Sequence, residues 1–263
     1  MDDTITQILS NIDIFILLIV RISGIFIIAP IFSRNNIPMM SKIIFSVFLA
    51  LIILPLVTIS EDFAANTFFA LMVYAIQEFA LGITIGFIGS IYFSTFYLAG
   101  MIVDTQIGFG MVNVFDPQMN TQLPIMGNVY NLLISLVFLA VNGHHLLIKA
   151  MFDSYDVLPI GFQFQVSEAL IMHLTIIFME IFMMAFKLSA PILATIFLAN
   201  VLLGILARTM PQMNVFIVGM PLKIIVGLVT IMIALPFLVP FGNALFEKMF
   251  TSIDHIIELL FEG

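Results

Sequence analysis

Four ionisable side chains interrupt stretches of the chain that are otherwise almost wholly apolar: Glu78, Asp104, Glu180 and Lys187. A charge at mid-bilayer is unfavourable by about 2.5 to 3.5 kcal/mol even on the gentlest scale, so such groups pair with neighbours or carry protons. Both chemistries are open to Glu78 and Asp104. Pairing across a subunit boundary is the favoured use, with Arg208 and Lys223 as further cations for it. His144 and His145 invite a metal ion, but adjacent residues on a helix project about 100° apart and cannot chelate as an i, i+4 pair does. Packing or capping is their expected role. The sequence has no HExxH, GxSxG or P-loop pattern, which leaves an intramembrane enzyme without a reaction centre. Zero cysteines exclude disulfides and thiolate metal sites. No cofactor is expected.

The elements that must hold these side chains are membrane helices. The chain is 62% hydrophobic and 9% charged, against about 45 to 50% apolar and about 25% charged in soluble domains. Its formal charge of -8 includes no polybasic run, so nucleic acid is not a partner. Asp13 and Arg21 in the first apolar run, with no A-x-A pattern after it, argue against a removable signal peptide. Apolar stretches cover Ile12 to Phe32, Ile43 to Ile59, Phe68 to Val103, Ile125 to Ile148, Ala169 to Ala207 and Val215 to Gly242. The third and fifth exceed the roughly 20 residues that cross a core of about 30 Å, so they bend or rise above the bilayer. Gly82, Gly86 and Gly89 give the third a GxxxG face where another backbone can approach, and Pro191 should kink the fifth.

From Ala169 to Gly242 the pattern is a helical hairpin turning at Arg208 to Asn214, where Pro211 ends the first arm. Leu245, Phe246, Met249, Phe250, Ile253, Ile256, Ile257 and Leu260 then recur at helical spacing, as in an amphipathic helix lying on a neighbouring protein or an interface. The Ser33 to Lys42 connection holds Arg34 and Lys42 and no acid, while Ser60 to Thr67 holds Glu61 and Asp62 and no base. The positive-inside rule makes the first cytoplasmic and the second external; alternation then returns Arg208 to the cytoplasmic side and leaves both termini outside.

Between the third and fourth stretches lies QIGFGMVNVFDPQMNTQLPIMG, from Gln106 to Gly127. Irregular backbone cannot face lipid, because every unpaired N–H and C=O costs several kcal/mol there, so this segment rests on protein or lines a wet cavity. Its three methionines and two phenylalanines suit a seal, since they fill irregular gaps without binding what passes. Ordinary core filling is the competing use of Met111, Met119 and Met126. A secondary transporter would share the broken helices and buried charges but should show repeat symmetry, and the two halves lack it.

Four passages in order, RISGIFIIAPIFSRNNIPMMSKI at Arg21 to Ile43, AGMIVDTQIGFGMVNVFDP at Ala99 to Pro117, VNGHHLLIKAMFDSYDVLP at Val141 to Pro159 and ARTMPQMNVFIVGMPLKI at Ala207 to Ile224, resemble the FliR/SctT family of type III export-gate subunits, in its flagellar branch. The resemblance implies an all-α fold of membrane-associated hairpins with long kinked helices, FliP-like over residues 1–165 and FliQ-like over 166–263. It implies a hetero-oligomer with FliP-like and FliQ-like subunits and an associated FlhB-like subunit. That assembly would sit in the bacterial inner membrane within the flagellar basal body, raised towards the periplasm, and would pass unfolded exported proteins. The family's channel plug falls on residues 106–127, centred on Gly108, Phe109, Gly110, Met111, Val112, Asn113, Val114, Phe115, Asp116 and Pro117. The inter-subunit packing or pairing set is Glu78, Gly82, Gly86, Asp104, Glu180, Lys187, Arg208 and Lys223.

Overall fold

Long apolar runs lacking period-2 alternation satisfy their own backbone only as helices, the one open structure whose hydrogen bonds all stay within the segment. The computed structural model describes residues 12–34, 36–58, 60, 63, 67–109, 124–162, 167–210, 212 and 214–262. Among these, the helices are α1 (Ile12–Ile28), α2 (Met39–Ile53), α3 (Phe68–Ile107), α4 (Ile125–Ala140), α5 (Gly143–Val157), α6 (Glu168–Thr209), α7 (Val215–Ala234) and α8 (Leu238–Glu262). No strand forms among the described residues, so the all-α expectation holds. Among the described residues, three helical stretches are long and apolar enough to cross a membrane: Phe68–Ile107, Glu168–Thr209 and Ile217–Phe261.

The chain divides into two compact units that interleave along the sequence, whereas the division expected from the sequence cuts it once, after residue 165. The first unit comprises residues 1–92, 142–177 and 247–263. Its core is built on α1, where Leu17, Leu18, Ile22, Ile25 and Phe26 are excluded from solvent, and on Leu49, Ala50 and Ile53 of α2. Gly24, Gly82 and Gly86 bring α1 and α3 backbone to backbone. A Cβ on Gly24 would lie 2.8 Å from the Phe79 carbonyl, one on Gly86 would lie 2.9 Å from that of Ile25, and one on Gly82 would overlap that of Arg21. Tyr92 and Ser252 share a 2.7 Å hydrogen bond that ties α3 to α8.

After α1 the chain turns at Pro30, with the Phe32 amide donating to the Pro30 carbonyl at 2.9 Å. Ile31 there has φ 70°, a left-handed conformation that a β-branched residue rarely adopts. Such a conformation costs about 1 to 3 kcal/mol and persists only where its surroundings over-determine it. Pro30 is pinned against Gly89, and the Ser90 hydroxyl donates to the Ile28 carbonyl.

The second unit comprises residues 93–141 and 178–246. Its centre is aromatic: Phe93, Phe138 and Phe246 meet with centroids 5.0 to 5.7 Å apart, and Phe96 meets Phe241 at 5.9 Å. Gly100 and Gly127 let α3 and α4 touch, since a Cβ on Gly100 would collide with the Gly127 backbone.

Two boundaries differ from those read in the sequence. The Ile125 to Ile148 run is two helices, broken where Asn142 takes φ 57°. Asparagine tolerates that conformation and Gly143 follows, so an Asn-Gly turn outweighs the hydropathy. The Val215 to Gly242 run ends early, at a short 3₁₀ turn over Leu235–Phe237 containing Pro236, and α8 starts at Leu238. α6 runs unbroken through Pro191.

Candidate functional site

Two groups of sequence-expected residues occupy different units. In the second unit, α3 ends where Gly108 takes φ 98° and its amide donates to the Asp104 carbonyl at 3.1 Å. A glycine just past the last turn is the usual helix stop, because it reaches positive φ without steric cost. Asp104, one turn earlier, is buried and points across to the start of α4. Both of its carboxylate oxygens accept from the Met126 amide, at 3.0 and 3.1 Å.

The local chemistry explains this contact. α4 begins after Pro124, which has no side chain able to cap it. The first turn of a helix leaves amides without partners and carries partial positive charge, so a carboxylate supplied from elsewhere satisfies both. Asp104 therefore caps a helix that starts 21 positions later, at Ile125, and joins the two ends of the segment between them. Of the expected plug residues, Gly108 and Phe109 stand at this junction. Gly110, Met111, Val112, Asn113, Val114, Phe115, Asp116 and Pro117 lie outside the described residues.

Beside the end of α3 is a cavity of about 400 Å³ whose lining includes Thr105, Gln106, Asn200 and Lys223. Lys223 is half-buried on α7. It lines the same cavity as Thr105, Gln106, Ile107 and Gly108 at the end of α3. On α6, Glu180 is half-buried and Lys187 exposed; Arg208 is exposed in the last turn, where a cation complements the helix dipole.

Glu78 belongs to the first unit. Its partner is Arg21 of the same chain, where the sequence analysis looks to a neighbouring subunit. Arg21 Nε donates to Glu78 Oε2 at 2.5 Å, with both residues buried. The guanidinium also donates to the Leu158 carbonyl at 2.9 Å and to the Ser154 carbonyl and hydroxyl, each at 3.3 Å. It lies 4.1 Å from the centroid of the Tyr155 ring. Glu78 in turn accepts from the Gly161 amide at 3.4 Å. One ion pair thereby gathers α1, α3 and α5. Arg21 is the functional candidate missed in the sequence, and its signal is a single arginine inside an apolar helix. Gly82 and Gly86, one and two turns beyond Glu78, pack against α1 of this chain. His144 and His145 start α5 with ring centroids 4.1 Å apart.

Residues 12–249 match the family model described as bacterial export proteins, family 1. The chain is similar to the flagellar biosynthetic protein FliR of Bacillus subtilis, 31% identical over 248 residues that cover 94% of this chain and 95% of that protein. FliR of Escherichia coli is 30% identical over 257 residues, with 98% and 97% covered. Yop proteins translocation protein T of Yersinia pestis is 31% identical over 213 residues, 80% of each chain.

Proposed function

The chain belongs to the bacterial export proteins, family 1, and on that premise we propose that it is a wall and gate subunit of a flagellar type III export channel. As a member it is a component of a bacterial export apparatus, and its apolar helices make it a membrane protein. The finer role is a division of labour: long helices build part of the conduit wall, and the segment at 106–127 obstructs the lumen until an unfolded substrate displaces it. FliP-like and FliQ-like subunits would complete the wall, with an FlhB-like subunit beside it. Residues 1–165 would play the FliP-like part and 166–263 the FliQ-like part. The assembly would stand in the inner membrane at the flagellar basal body, raised towards the periplasm.

The observation that carries this proposal is the Asp104–Met126 junction. A seal must change position while the wall stays shut to lipid and solvent. A segment rooted at one hydrogen-bonded point can move without separating α3 from α4. In the closed state Phe109, Met111, Val112, Val114 and Phe115 would fill the passage, and a narrow apolar constriction excludes water and ions by dewetting. Gly108 and Gly110 supply the backbone freedom that displacement needs. No catalytic step is assigned to this chain; it provides path and closure.

Deletion of Gly110 to Val114 in cells carrying the whole apparatus should make the inner membrane leaky to small ions and solutes while the complex still assembles. Membrane potential and solute influx are the measurements. Unchanged permeability in an intact complex would remove the sealing role and leave the wall role.

A further inference from the structure

A second cavity, in the first unit, has no part in this gate. Its volume is about 310 Å³, and it is lined by Phe26 of α1, Phe32 and Ile37 of the following connection, and Ser41, Lys42 and Phe45 of α2. Phe26 is its floor, meeting Phe32 edge-on at 4.9 Å and Phe45 at 5.3 Å between centroids. Among the described residues, Ser41 and Lys42 are its only polar side chains, both on the first turn of α2. The left-handed Ile31 immediately precedes Phe32, so a backbone conformation that ordinary packing would avoid delivers that ring to the pocket wall.

We propose that this pocket holds one acyl chain of an anionic phospholipid, with its phosphate on Lys42. The walls decide the buried part of the ligand. A polar metabolite needs several convergent hydrogen-bonding groups to fix it, and the aromatic interior provides none. The mouth decides the head. Lys42 is half-buried, and a lysine can lay its stem along apolar surface while its ammonium reaches the polar zone.

The surroundings agree in charge and in hydropathy. From Ala29 to Thr58 the chain contains two bases, Arg34 and Lys42, and no acid. Such connections face the leaflet in which anionic lipids concentrate. Along α2 beside the pocket, Met40, Ile44, Phe48 and Ile52 form an outward stripe with exposures of 66, 62, 57 and 45%. A bound chain would continue that apolar surface inward.

The chain contains no tryptophan, so Phe45→Trp places a single indole in the pocket wall. The full-length variant, purified in its complex with co-expressed FliP-like and FliQ-like subunits whose own tryptophans are replaced by phenylalanine, would be reconstituted in phosphatidylcholine nanodiscs doped with acyl-brominated phosphatidylglycerol or, at equal mole fraction, acyl-brominated phosphatidylcholine. The anionic lipid should quench the indole about fivefold more effectively, the preference one basic side chain gives at an anionic surface. Adding Lys42→Glu should bring the two lipids to parity with helical content unchanged; if that variant does not fold, Lys42→Gln should do the same. Equal quenching by both lipids without the Lys42 change, or a preference that survives both Lys42 variants, overturns the anionic site. Absence of quenching by either lipid means that protein fills the pocket, and overturns it also.

Discussion

Each of the three guanidinium nitrogens of Arg21 has an acceptor within the chain, and the residue is wholly excluded from solvent. Removing one member of such a pair strands the other charge in a low-dielectric interior, which costs about 3 to 5 kcal/mol, whereas replacing both with apolar residues of similar volume is often neutral. Glu78→Leu and Arg21→Met should each destabilise by that amount, and the double variant Arg21→Met with Glu78→Leu should recover most of it. Unfolding in detergent across the three variants measures the coupling, and simple addition of the two single losses would show that the pair does not act as a unit. Sequence reading finds Glu78 because an acid stands out in an apolar run. It misses the partner because the two residues are 57 positions apart and a single sequence carries no information on which helices touch. Asp104 is found by the same contrast. Its use as a cap is hidden because the cap and the helix it serves are separated by the segment they enclose.

At the scale of elements, glycine spacing predicts a close helix contact on α3 but not its partner. Gly82 and Gly86 read as a packing face, and the surface they meet is Gly24 and Ile25 of α1. A side chain there must push two backbones apart. Gly86→Val should therefore cost about 1 to 3 kcal/mol by overpacking. Gly204 on α6 is the contrast, because a Cβ built there meets nothing within 4 Å. Gly204→Ala should be neutral, or stabilising by up to about 1 kcal/mol through helix propensity. Thermal unfolding of the two variants against the parent tests the pair of signs. Long helices are visible in the sequence because hydropathy over 20 residues is a strong signal. The breaks at Asn142 and Pro236 are weaker, since one or two local residues compete with an apolar run that continues past them.

At the largest scale the salient quantity is the length of one helix. α6 has 42 residues, which at 1.5 Å each gives about 63 Å, twice a hydrocarbon core. Within the second unit it also exposes Phe178, Met179, Phe182, Met183 and Phe186, by 46 to 64%. Lipid cannot cover all of such a shaft, so part of this surface is made for protein. Expressed alone and extracted in detergent, the chain should give a polydisperse elution profile, and co-expression with FliP-like and FliQ-like subunits should give one complex of fixed mass by light scattering. A monodisperse, stable monomer would mean that its greasy faces need no partner. The junction of Asp104 with Met126 adds a limit on scale. Fourteen residues lie between Phe109 and Pro124 in the sequence, and any chain of that length held at both ends near one point can extend no further than half its contour, about 25 Å. On the proposed gating role that radius is a ruler: one copy would stopper an orifice admitting a threaded polypeptide, whereas an aperture sized for folded cargo would lie beyond its reach.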